Sequence, residues 1–66
     1  MHITLNGEAY PLQDGQSVAE LLEVLQLAGK RLAVEVNEAI IPKSRHTTHR
    51  LQAGDRVEIV HAIGGG

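Results

Sequence analysis

The 66 residues contain no cysteine, so disulfides, thiolate metal sites and a thiol nucleophile are excluded, and the composition fits any redox compartment. Phe and Trp are missing too. Tyr10 is the only aromatic residue, so the core has to be assembled from Leu, Ile, Val and Ala. Basic charge is in deficit: six Lys and Arg against eight Asp and Glu leave a formal charge of −2, without the basic excess that gripping nucleic-acid phosphates requires. No stretch approaches the ~20 apolar residues of a membrane span, and Met1-His2-Ile3-Thr4-Leu5-Asn6 lacks a basic segment followed by an apolar run. These absences predict a soluble, cytoplasmic protein with neither nucleic acid nor membrane as partner. At this length one domain is expected, burying only about 60% of its unfolded surface and leaving little room for a deep catalytic cleft.

The residues that are present read as a small mixed α/β body. His2 to Asn6 alternates, with Ile3 and Leu5 on one face. Asn6-Gly7 tolerates positive φ at both positions of a type I′ turn, so a second, antiparallel strand is predicted over about Glu8 to Gln13, placed at a sheet edge by Pro11. Ser17 with Glu20 forms a capping box. Val18, Leu21, Leu22 and Leu25 then make one apolar helical stripe. Gly29 suits the left-handed position after the helix, and Lys30 with Arg31 complements its carbonyl end if the last turn reaches Ala28. Leu32 to Val36 is a third strand, Asn37-Glu38 a tight turn, and Ala39 to Ile41 a short fourth strand ended by Pro42. Lys43 to Arg50 is polar and predicts an exposed connection, with Leu51 as a lone apolar anchor. A last strand runs from Arg56 to Ala62, with Val57 and Ile59 toward the helix and Glu58 and Val60 on the other face. One helix cannot cover both faces of a sheet. If the first and last strands lie parallel at its centre, Ile3, Leu5, Val57 and Ile59 are buried beneath Val18, Leu21, Leu22 and Leu25, and the last strand anchors the base of the C-terminal tail.

That tail is Ile63-Gly64-Gly65-Gly66. Glycine has no Cβ, so such a segment threads where side chains do not fit, and its high conformational freedom predicts mobility until a partner fixes it. The Gly66 carboxylate is then the chemical handle. A frayed or expression-derived end accounts for the same glycines equally well at this point.

The order β-β-α-β-β-β with an Asn-Gly hairpin and terminal glycines resembles the ubiquitin-like β-grasp fold, an α+β class with one helix across one face of a mixed sheet. More closely, the chain resembles the ThiS family of thiamin-biosynthesis sulfur carriers. The matching stretches are Ile3-Thr4-Leu5-Asn6-Gly7, Asp14 to Leu22, Ala33-Val34-Glu35-Val36-Asn37, Ile40-Ile41-Pro42, Gly54 to Val60, and Ile63 to Gly66. Two positions depart from the family pattern: Gly64 stands where alanine is common, and Ser44-Arg45-His46 replaces a frequent aromatic residue after Pro42. The resemblance divides the chain into a β-grasp domain, residues 1–63, and a flexible tail, residues 64–66, and it weighs against an expression remnant.

An ionised carboxylate is a poor acyl electrophile, so loading sulfur on Gly66 requires activation, and no Walker-type phosphate loop occurs in the chain. The resemblance implies a partner that supplies it. A ubiquitin-activating-like adenylyltransferase using ATP and magnesium would adenylate Gly66, a persulfide donor would supply sulfur, and the resulting thiocarboxylate would go to thiazole synthase. The chain itself is then a carrier and not an enzyme, with no catalytic residue and no bound cofactor or metal of its own. Gly64 and Gly65 let the tail enter the partner's active site, and Val60 and Ile63 are candidates for docking. Extended, Ile63 to Gly66 reaches about 13–14 Å. Alternatives are a molybdopterin-synthase-type carrier and a ubiquitin-like modifier conjugated through Gly66. His46-Thr47-Thr48-His49 lacks a helical pattern and reads as two solvated histidines in preference to a metal pair, and His61 as a strand-surface residue.

Overall fold

The computed structural model describes residues 1–61, and within them the elements occur in the order expected from the sequence. Strand β1 (His2–Leu5) turns through Asn6 and Gly7, at φ 49° and 86°, into β2 (Glu8–Pro11). Both turn residues adopt the positive φ that a type I′ hairpin demands. The strand stops at Pro11, short of Gln13. Beyond it Met1 and Leu12 exchange both backbone bonds, 2.8 and 2.9 Å, so the neighbouring His2–Pro11 pair is one in which neither residue points its N–H across the ladder. Proline fits there without loss of a bond.

Helix α1 (Val18–Val24) begins at Ser17, whose hydroxyl accepts from Glu20 N at 3.1 Å while Glu20 Oε1 accepts from Ser17 N at 2.8 Å. Its end is earlier than expected. Leu25 caps it, Gln26 takes the left-handed position at φ 60°, and the bonds Gln26 N to Glu23 O and Leu27 N to Leu22 O, 3.0 and 2.8 Å, form a Schellman motif. Gly29 also has positive φ, but in a later turn, so Lys30 and Arg31 lie beyond the helix and no basic residue occupies its last turn. The early stop packs Leu27 against the core, and this hydrophobic closure outweighs the αL preference of glycine three residues on.

Strand β3 (Leu32–Val36) turns through Asn37 and Glu38, at φ 51° and 71°, into β4 (Ala39–Ile41). The polar 43–50 stretch is exposed at six of its eight positions, as its composition suggests, but it also turns two histidines toward the body. A 3₁₀ turn (Lys43–Arg45) places His46 in the interior, and the carbonyls of His46 and His49 accept from Ala19 N and Val18 N at 2.8 and 3.0 Å. With the capping box, this segment supplies acceptors for the amides that a helix start leaves unpaired. Leu51, 1% exposed, anchors it as expected.

Strand β5 (Arg56–His61) takes the middle of the sheet, whose order is β2-β1-β5-β3-β4. It runs parallel to β1 and antiparallel to β3. Ile3, Val34, Val36, Val57 and Ile59 form the covered face beneath Val18, Leu21 and Leu22, while Leu5 and Leu25 are half-buried at its margin. Ala62, expected as the last residue of this strand, lies outside the described residues.

Candidate functional site

The helix covers one face of the sheet, and among the described residues no element covers the other. Strand register places Ala33 beside Val60, Glu35 between Ile40 and Glu58, and Thr4 beside Arg56 on that open face. Ile40 and Val60 are 67% and 57% exposed, which marks them among the few large apolar side chains left to solvent. Glu35 and Glu58 are paired directly across β3 and β5, an arrangement of like charges that disfavours the isolated fold. The surface therefore offers apolar anchors flanking a doubled negative charge. Val60 stands where the sequence puts it. Ile40 and the Glu35–Glu58 pair were not singled out from the sequence, because cross-strand neighbours depend on register that alternation in a three-residue strand leaves open.

Strand β5 is tied at both ends by asparagines from the two hairpin turns. At its start, Asn37 N donates to Arg56 O at 2.7 Å, and Arg56 N donates to Asn37 Oδ1 at 2.9 Å. Toward its end, Asn6 N donates to Val57 O and Ile59 N donates to Asn6 Oδ1, both at 2.9 Å. In each case a residue whose carbonyl has swung away in the left-handed turn presents its side-chain oxygen to the strand amide. On the β3 side the strand stays paired through Leu32 opposite His61. His61 is exposed on the helix side of the sheet. Ile63, Gly64, Gly65 and Gly66, the expected docking and sulfur-bearing residues, lie outside the described residues.

The histidine pair of the 46–49 loop is resolved differently from its expected solvation. His46 is buried, with Nε2 3.0 Å from the Ile41 carbonyl, and His49 is half-buried. The Ile41 carbonyl can only accept, so Nε2 carries a proton there and is not open to a metal. Among the described residues no group of three or more His, Cys, Asp or Glu could hold a metal ion. Glu20 is held below the ordinary glutamate range, first by the Ser17 backbone N–H, which outweighs an opposing desolvation, with lesser help from the Ser17 hydroxyl and the Arg50 guanidinium. It serves the helix cap and not the open face.

A sequence profile of the ThiS family matches residues 3–66. The chain belongs to the ThiS family. It is 35% identical over 66 residues to the sulfur carrier protein ThiS of Escherichia coli, covering all of both chains. It is 39% identical to the thiazole synthase of Magnetococcus marinus, where it covers 20% of that protein's length. The crystal structure of the thiamine biosynthesis protein ThiS from Geobacter metallireducens superposes with a TM-score of 0.87 at 29% identity, covering all of both chains. The ThiS-type β-grasp, with one helix across a mixed sheet, is thus the fold of this chain.

Proposed function

We propose that this chain is the sulfur carrier for thiazole formation in thiamin biosynthesis, acting as a protein cosubstrate through the carboxylate of Gly66. The observation that carries the reading is the family match through residue 66, joined to a body whose central strand runs in sequence straight into the glycines. An adenylyltransferase of the ubiquitin-activating type supplies ATP and magnesium. The Gly66 carboxylate attacks the α-phosphorus of ATP, pyrophosphate leaves, and an acyl-adenylate forms. A persulfide sulfur then displaces AMP, and a second thiol cleaves the S–S bond, giving the thiocarboxylate and a disulfide on the donor. Thiazole synthase takes the sulfur from that thiocarboxylate, a partnership supported by the thiazole synthases whose sequences contain a segment similar to this chain. The reading assigns the protein to the cytoplasm, where its partners would find ATP; no helix among the described residues is long and apolar enough to cross a membrane.

Docking falls to the open sheet face. Ile40 and Val60 give a partner apolar anchors, and a basic group of the partner relieves the Glu35–Glu58 repulsion. The glycines beyond then reach into a recessed active site that side chains would obstruct.

Intact mass spectrometry tests the reading. After incubation with the adenylating enzyme, ATP, magnesium and a persulfide donor, the mass increases by the exchange of one oxygen for sulfur, and deleting Gly66 abolishes the change. Stable conjugates to lysines of other proteins, with no sulfur exchange, would instead identify a modifier.

A further inference from the structure

We propose that Asn6 is the positioning residue for the C-terminal segment: its side-chain amide oxygen extends the β1–β5 ladder to Ile59 and so fixes the direction in which the chain leaves the body. In a parallel pair, a residue that donates to one partner residue's carbonyl accepts through its own carbonyl from the amide two residues further along. Asn6 donates to Val57 O, so the amide due to reach its carbonyl is that of Ile59. At φ 49° Asn6 has already turned toward β2, and the Ile59 amide is met at 2.9 Å by Oδ1. The two requirements, a left-handed backbone and an acceptor at that point, select asparagine over glycine, although glycine suits the turn at least as well. Asn37 performs the same substitution at the opposite end of β5, where its Nδ2 also donates to Asp55 Oδ1, and so serves as an internal control at the start of the strand.

The effect on function rests on the sulfur-carrier reading. Val60 and His61 lie past the last β1-side bond, held among the described residues by β3 alone. Moving that last bond back from Ile59 lengthens the singly held stretch, so the end of β5 that leads toward Gly66 is held less firmly. Docking through the open face is untouched, but the carboxylate meets ATP less often in an attacking geometry, so the loss falls on kcat and not on KM.

Three variants test this: Asn6→Gly keeps the turn and removes the oxygen, Asn6→Asp keeps both, and Asn37→Gly removes the oxygen at the far end. Amide hydrogen exchange is read at Ile59 against Val34, and adenylation by the source organism's adenylating enzyme is measured with ATP and magnesium. Asn6→Gly is expected to speed Ile59 exchange roughly fivefold to tenfold, the loss of about one hydrogen bond. It also lowers kcat several-fold at unchanged KM, on the order of what slight misplacement costs. Asn6→Asp restores both readouts, and Asn37→Gly leaves kcat at the wild-type level. Unchanged Ile59 exchange in Asn6→Gly, or a kcat no lower than that of Asn37→Gly, overturns the proposal. If the wild-type chain is not adenylated at all, the sulfur-carrier reading fails, while the exchange comparison still decides whether Asn6 holds the end of β5.

Discussion

At the scale of single residues, the helix start is held by a few polar groups with little redundancy. Ser17 is buried and reciprocally bonded to Glu20, so Ser17→Ala strands the Glu20 amide and is expected to cost about 1 kcal/mol of unfolding free energy in a urea titration. Glu20 gives the same junction a pH dependence. Its folded-state pKa lies below its ordinary value of 4.5, so its contribution is complete above that value and is lost as pH falls through the lowered one. Thermal melts from neutral pH down into the acid range are expected to decline in the wild type, and in Glu20→Gln the part of that decline owed to this carboxylate disappears. Both residues were legible in the sequence, because a capping box is local: its partners sit three positions apart and owe nothing to the rest of the fold.

At the scale of elements, the end of α1 shows local preference yielding to packing. Gln26 holds a left-handed φ of 60° although a non-glycine residue there is disfavoured. Gln26→Gly relieves that strain and is expected to stabilise the protein by roughly 0.5–1 kcal/mol, read as a higher urea midpoint at unchanged slope. The sequence pointed to Gly29 because glycine is the usual αL cap. The packing of Leu27 against the core placed the stop earlier, a matter of tertiary structure. The capping role of the 43–50 segment was illegible for a related reason. Its backbone carbonyls from His46 and His49 do the capping, and a carbonyl leaves no mark in a sequence. His46 looks like a solvated polar residue until the helix is in place to cover it.

At the scale of the whole molecule, the placement of β5 at the sheet centre links stability to function. The central strand of the five is also the one that leads toward Gly66, while its outward residues share a face with Ile40 and Glu35. Val60→Asp is therefore expected to raise the KM of adenylation about tenfold with kcat unchanged, since loss of an apolar anchor is worth on the order of 1–2 kcal/mol at an interface. Its melting temperature stays near that of the wild type because the side chain is 57% exposed. Unchanged KM in this variant removes Val60 from the docking surface. Glu35→Lys, which replaces a like-charge pair with an opposite one, separates the two roles of that site: stability rises by a few tenths of a kcal/mol while adenylation weakens.

The sequence by itself determined the alternation of Ile3 and Leu5, the Asn-Gly hairpin, the capping box, the apolar stripe of the helix and the terminal glycines. Each of these is written in neighbours along the chain, where spacing and backbone preference suffice. Tertiary structure alone decided that Asn6 and Asn37 serve β5 as well as their turns, that His46 is interior, and that Ile40 and Glu35 join Val60 and Glu58 on the open face. Those facts depend on which segments meet in space: the bond from Ile59 to Asn6 joins residues 53 positions apart, and nothing in the local chemistry of either end fixes its partner.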